Sequence, residues 1–520
     1  PCASLGIVAY VFARNAGVSQ ITTTRKVMRK HILIAILFLH YPTFAKESVL
    51  IENVTVVSSH LQGPLQKAHV LISDGRIKTV SSSNIKKTVD TQVIDGTTLY
   101  LAPGIMDSHV HVSSIPGMGF GVEPVAQKNG ALAEDYYKQQ PYSFLYYGIT
   151  QVVDPNPGLE WTKFTSSKVH PDYYRCEVIT ARSTFPLVEK NDELSKSMFS
   201  YIVEQDVAET ALNSPEKIVK RIAESGASCI KVYFEDGYGD ESQWPLLSDD
   251  TLKRIRKSAL PHKLPLVAHA NALDMYQRAI DAEVDVIAHG LWNWGEFWRE
   301  TEVSKPMHGV INQLMSKSIG YMPTQRVIAG LGELMLHNSH GIPEFSKVTP
   351  KELLEWYKQP SAQWFKEELR AGFDELPDEV IARIFLKDRM GKGNKILQTL
   401  TEAGYPLLLG SDFPGSPSFS NQPGLTTFLE MKAMADAGVS LVAILAAATI
   451  NNARQFNIDK DYGTVEVGKV ANLLLLKQNP LTTVDAWSHI HQVILHGEVF
   501  DRTDFAADTM ANKALQQTSR

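Results

Sequence analysis

The sequence predicts an α/β fold: a (β/α)8 TIM-type barrel with a small discontinuous β-sandwich domain. Two observations predict it. Between about residues 100 and 415, eight apolar, strand-like runs alternate with helical segments, the signature of parallel βαβ units. Both ends of the chain, about 49–100 and 463–500, carry short alternating strands of a different flavour. The length of 520 residues suits one large domain plus a smaller one.

Taken in order, residues 25–45 resemble an address. Arg25, Lys26, Arg29, Lys30 and His31 precede the apolar run 32–39, and the segment ends at Ala45. This is the pattern of a cleaved signal peptide, with Met28 a candidate start, and predicts a secreted, periplasmic protein. The run is too short to span a bilayer as a helix, and the rival reading is an uncleaved anchor. No later stretch predicts a membrane span.

Residues 46–100 read as the first part of the β-sandwich, with tight hairpin turns at Asp74-Gly75 and Asp95-Gly96. The barrel spans 101–458. Its strand runs are 102–112, 148–154, 176–183, 229–234, 265–270, 285–290, 319–327 and 406–412. Ser214-Pro215 and Ser248 open helices, Gly226 stops one, and Leu273–Ala282 is helical. An insert at about 328–400 separates the last two strands; Thr349 to Glu352 reads as a capping box, and Trp356, Trp364 and Phe365 give it apolar weight. Long barrel insertions form lids or substrate pockets, or mere decoration. Leu441–Phe456 reads as a helix. Gly463–Leu476 and Gln492–Phe500 read as strands within the second part of the sandwich, 459–505, and 506–520 is a polar tail.

Lys and Arg number 51 against 57 Asp and Glu, a net charge of −6. Without a basic surplus no nucleic-acid partner is expected, and the substrate is a small molecule or a dipeptide. Cys2, Cys176 and Cys229 form no CxxC pair and no disulfide framework; Cys176 and Cys229 are expected as buried small hydrophobes, not catalytic thiols.

The chemistry gathers where the strand runs end. His109 and His111 are spaced to share one face of a strand, where two imidazoles can grip one cation. His269 and His289 each close a later strand, and the carboxyl ends of barrel strands converge on one mouth. Asp412 ends an apolar run as ligand and base, or as a helix N-cap shared with Ser411. Lys231 interrupts an apolar strand. A buried ammonium is costly and tends to lose its proton, and a neutral amine can capture carbon dioxide as a carbamate. Its bland alternative is an ion pair with Glu235 or Asp236.

The segment PGIMDSHVH, the strand-end lysine, the two later histidines, the GSD at 410–412 and the closing GTVEVGKVANLLLL together resemble the amidohydrolase superfamily, over about residues 46–500. Within it the chain looks nearest to the imidazolonepropionase-related, prolidase-like group. The resemblance implies a hydrolase with two divalent metal ions, zinc foremost. His109, His111 and Asp412 would hold one ion, His269 and His289 the other, and carbamylated Lys231 would bridge them together with a hydroxide. It implies cleavage of an amide or dipeptide carbon–nitrogen bond by that hydroxide, with Asp412 as general base and acid. The alternatives are a lactone, ester or phosphotriester hydrolase on the same site, or a mononuclear deaminase. Against the deaminase, the residues after His269 are Ala270, Asn271, Ala272 and Leu273, with no glutamate. Arg326, Arg182, Tyr233 and Tyr238 are candidate substrate contacts, with Trp292 and Trp294 as pocket lining. Homo-oligomerisation stays open.

Overall fold

The computed structural model describes residues 48–182, 184–185, 201–237, 244–336 and 343–509. The expected leader at 25–45 lies outside the described residues, as does the expected tail from 510 on, whereas Ala506 and Ala507 at its start are buried.

Strands from the two chain ends join in one sheet. Leu473–Leu476, from the C-terminal part, pairs antiparallel with Tyr100–Pro103 from the N-terminal part. The hydrogen-bonded unit is a single mixed eight-stranded sheet rather than two separate ones. Its hub is Ser48–Val56, which pairs antiparallel with Leu65–Ser73 on one side. On the other side it runs parallel to Thr91–Asp95 and then to Tyr100–Pro103. The sheet encloses its own core, with Ile51, Val70, Leu473 and Ile494 at the centre.

Asp74-Gly75 is the tight hairpin turn expected, with φ of 52° and 73° joining Leu65–Ser73 to Arg76–Ser81. Asp95-Gly96 is not a hairpin, because the strands on either side of it both run parallel to Ser48–Val56. Gly96 is required for a different reason: a Cβ there would lie 2.6 Å from the Val54 side chain. In the second part, only Leu473–Leu476 of the run 463–476 is strand. The run 492–500 is itself a hairpin, turning at His496-Gly497 between Ile490–Leu495 and Glu498–Asp501.

The barrel strands are β1 (Ile105–Asp107), β2 (Ile149–Asp154), β3 (Asp172–Ala181), β4 (Cys229–Tyr233), β5 (Leu266–His269), β6 (Val286–Ala288) and β7 (Gly320–Met322). They pair in parallel in that order, with Tyr201–Val203 added beside the end of β3. Residues 407–413 occupy the eighth position without becoming a regular strand. Leu407 bridges to Tyr321 of β7, and Phe413 bridges to Val110 just after β1. The Ser108 N–H donates to the Leu409 carbonyl at 3.0 Å across the same seam.

Most helix signals place helices correctly. The Ser214 hydroxyl accepts from the Lys217 N–H at the start of Pro215–Glu224, and Gly226 follows its end with a φ of 76°. Ser248 caps Asp249–Ala259 in the same way. The insert is helical, from Gln325–Leu336 to Met390–Glu402. Thr349 forms no capping box; Pro350 takes the cap position and the buried Thr349 hydroxyl donates to Gln422. The helix after the barrel, Leu441–Gln455, contains a π turn at Ala447–Asn451.

The cysteine expectation needs correction. Cys176 and Cys229 face each other across β3 and β4 and form a disulfide. The sequence separates them by 53 residues, and only the parallel register of the two strands brings them together.

Candidate active site

The structure gathers all six predicted metal-site residues at one mouth. His109, His111, Lys231, His269, His289 and Asp412 line a single cavity of about 240 Å³. The imidazole centroids of His109 lie 5.2 Å from His111 and 5.1 Å from His289, and His269 lies 4.5 Å from His289. Asp412 joins these rings. Its Oδ1 sits 3.3 Å from His109 Nε2 and 3.1 Å from His111 Nε2, and its Oδ2 sits 3.4 Å from His289 Nδ1. The ligand atoms of His109, His111 and Asp412 all fall within 4.8 Å of one another.

The local backbone aims these groups. His109 and His111 lie just beyond β1, in a stretch pinned by the 408–413 segment and by Asp154, whose carboxylate accepts from the Val112 N–H at 3.1 Å. His289 and Asp412 have positive φ, 81° and 54°. A non-glycine residue there is uncommon and strained, and such residues concentrate at functional sites. Asp412 does not cap a helix: Pro414 follows closely, and the next helix starts at Leu425.

Burial sets the charge states. It drives the pKa values of His109 and His289 well below the usual imidazole value, and the nearby Lys231 depresses them further. Neutral imidazoles are the form that binds a metal. Lys231 is almost fully buried and its Nζ makes no hydrogen bond among the described residues. Burial pulls its pKa down to about 7, against a smaller opposing pull from Asp412. The ion-pair alternative fails for Glu235, which accepts from Asn271 at 2.9 Å and lies 3.2 Å from His269 Nε2. No ion pair links Lys231 to Asp236 among the described residues.

The donor set fits divalent cations. The imidazole and carboxylate atoms converge, and His109 Nδ1, His111 Nδ1 and Lys231 Nζ are buried without a hydrogen-bond partner among the described residues. Buried polar atoms of this kind need an explanation such as an absent ion or water.

The four weaker predictions divide. Tyr233 lines the cavity, with burial raising its phenol. Arg326 does not line it. It sits in the first turn of Gln325–Leu336, not at the end of β7, and its guanidinium grips Glu333 at 2.5 and 2.6 Å. Arg182 is exposed in the turn after β3 and also stands off the cavity. Tyr238 lies outside the described residues. Trp292 lines the cavity, while Trp294 is buried and donates to the Leu291 carbonyl.

Several site residues escaped the sequence reading. Asp107 accepts from the His109 and Ser411 N–H groups and from the Thr427 hydroxyl. Glu235 and Thr324 lie beside His269 and His289. Asp107 stands inside the PGIMDSHVH motif, so its position was visible; Glu235 was weighed only as a partner for Lys231. The insert supplies Trp364, Phe365, Glu368, Phe385 and Arg389 to the cavity wall.

The amidohydrolase family model matches residues 380–500, a stretch that contains Asp412. Over that stretch the chain is similar to the amidohydrolase family. Solved structures extend the likeness in fold over most of the chain. A Xaa-Pro dipeptidase with methionine bound in its active site superposes with a TM-score of 0.58 at 18% identity, covering 87% of this chain and 100% of that one. A putative prolidase from Bifidobacterium longum gives 0.59 at 19%, covering 91% and 100%. An ochratoxinase from A. niger gives 0.59 at 18%, covering 88% and 96%. No curated protein matches the chain in sequence. The donor atoms of His109, His111 and Asp412 lie close enough together to hold one metal ion.

Proposed function

We propose that this chain is an amidohydrolase that cleaves an amide or dipeptide carbon–nitrogen bond at a two-metal site. The observation that carries the reading is the buried Lys231 Nζ, without a hydrogen-bond partner among the described residues, amid four histidines and Asp412. Among the described residues Lys231 forms no ion pair and Asp412 pulls on it only weakly, whereas a carbamate on its nitrogen would turn a misplaced cation into an anionic ligand. His109, His111 and Asp412 would hold one ion, His269 and His289 the second, and Lys231 as carbamate would contact both. Two bound ions supply an acidified water and a polarised carbonyl. Zinc suits these ligands.

The chain's own groups do the rest. Asp412 takes the proton from the attacking water and returns it to the leaving nitrogen. Its fixed, positive-φ backbone and the contacts with three histidines hold the carboxylate still while it does so. Glu235 orients His269, and Thr324 lies 3.3 Å from His289 Nδ1. The apolar cavity excludes bulk water and strengthens each of these interactions. The fold neighbours that act on Xaa-Pro peptides support a small amide or dipeptide as substrate.

Export is part of the proposal. The cationic and apolar pattern of residues 25–45 supports a leader, and a disulfide between Cys176 and Cys229 suits an oxidising compartment. The test of function is hydrolysis of a dipeptide and N-acyl amino acid panel by zinc-loaded enzyme. Amide cleavage that chelation abolishes and zinc restores is the expected result; cleavage of lactones or aryl esters alone would contradict it.

A further inference from the structure

Away from the metal-site residues, the insert walls the cavity with aromatic surface and one carboxylate. Trp364, Phe365 and Glu368 follow one another at i, i+1 and i+4 of the helix Trp364–Gly372, so they share a face, and all three line the cavity. The Trp364 indole N–H donates to the Gly117 carbonyl at 2.8 Å, which fixes that helix against the barrel mouth. Phe385 faces the same space from the next part of the insert.

Glu368 is out of place on such a face. It is half-buried, and its Oε2 is shielded from solvent with no hydrogen-bond partner among the described residues. The cations of its own helix are engaged elsewhere, since Lys366 and Arg370 both pair with Asp378, at 3.0 and 2.9 Å. Arg389, the other charged residue that the insert sends to the cavity, donates to the side-chain amide oxygen of Asn293. Burial raises the Glu368 carboxyl, to about 6, with no cation among the described residues opposing it. A carboxylate held among aromatic rings with an idle oxygen is the arrangement that receives an organic cation, through a charge-assisted bond and the ring faces together.

We propose that Glu368 is a specificity-determining residue that binds an ammonium or guanidinium group on an otherwise apolar substrate. This rests on the hydrolase reading above and deepens it: the substrate is an amide whose far end carries a positive charge. The ionised carboxylate meets the cation, and Trp364, Phe365 and Phe385 cover its apolar stem.

The test separates binding from turnover. Binding of 4-phenylbutylammonium and of the neutral 4-phenylbutanol to the full-length protein is measured by calorimetry at pH 7.5. The ammonium should bind about tenfold more tightly, and Glu368→Gln should bring the two within about twofold. Glu368→Lys should favour 4-phenylbutanoate over both, which shows that a folded variant reads charge at this position. Equal affinity for the ammonium and the alcohol in the parent, or an ammonium preference that survives in Glu368→Gln, would overturn the assignment. Kinetics on matched amides with cationic and neutral ends then locate any failure. Cleavage without a charge preference overturns the role of Glu368. Charge-selective binding with no cleavage of either amide supports Glu368 and overturns the hydrolase reading instead.

Discussion

The Asp107 carboxylate accepts from the Ser411 N–H at 3.0 Å, tying the last residue of β1 to the residue before Asp412. The same Oδ1 accepts from the His109 N–H at 3.1 Å, and Oδ2 accepts from the Thr427 hydroxyl at 2.6 Å. One buried side chain therefore sets the spacing between the His109–His111 arm and the Asp412 arm. It does so against its own desolvation, which raises its pKa.

Asp107→Ala should leave two buried N–H groups unpaired, costing roughly 2–5 kcal/mol of stability. It should also lower metal content. Asp107→Asn should be milder, because an amide oxygen can keep both N–H bonds while the Thr427 hydroxyl turns to accept. Thermal melts and metal analysis of both variants check this; equal, small effects would remove Asp107 as the tie between the arms.

Asp412→Asn should lower kcat by about 10²–10⁴-fold if the carboxylate moves the proton. Part of the metal should remain, since an amide oxygen can still coordinate. Full turnover in a metal-replete variant would remove Asp412 as the base.

The Cys176–Cys229 bond should be worth about 2–4 kcal/mol, given the long loop it closes. Replacing both residues by alanine should lower the melting temperature, and the peptides should appear linked in the unreduced protein by mass spectrometry. Free thiols at both positions in denatured, unreduced protein would contradict the pairing.

Glu430 gives a pH dependence. Burial raises its pKa to about 8, with the Arg326 and Gln325 N–H groups opposing in part. A carboxyl with a raised folded pKa keeps its proton in the native state while the unfolded chain releases it. Stability from this residue is therefore complete below the unfolded value near 4.5 and declines up to about pH 8. Glu430→Gln should flatten that decline in denaturation measured across the range. An unchanged slope would show that Glu430 is ionised in the native protein.

The sequence made the site more legible than the framework around it. Strand-end histidines, an interrupting lysine and a terminal aspartate are local signals, and the barrel's geometry makes them converge. What remained hidden depends on contacts across the fold. The partnership of Cys176 with Cys229 comes from the parallel register of β3 and β4. Arg326 reads as a strand-end substrate contact until Glu333, seven residues on along the same helix, claims it. Asp95-Gly96 has the chemistry of a hairpin turn, yet its neighbours both seek the same hub strand. Thr349 has a capping sequence, but Gln422 competes for its hydroxyl.

The two-metal assignment turns on Lys231, so metal content per chain in the parent and in Lys231→Ala is the most direct measurement. The account predicts about two ions in the parent, a sharp fall in the variant and partial recovery with a short carboxylic acid. About one ion in both proteins would contradict it and leave Lys231 without a role at the metal.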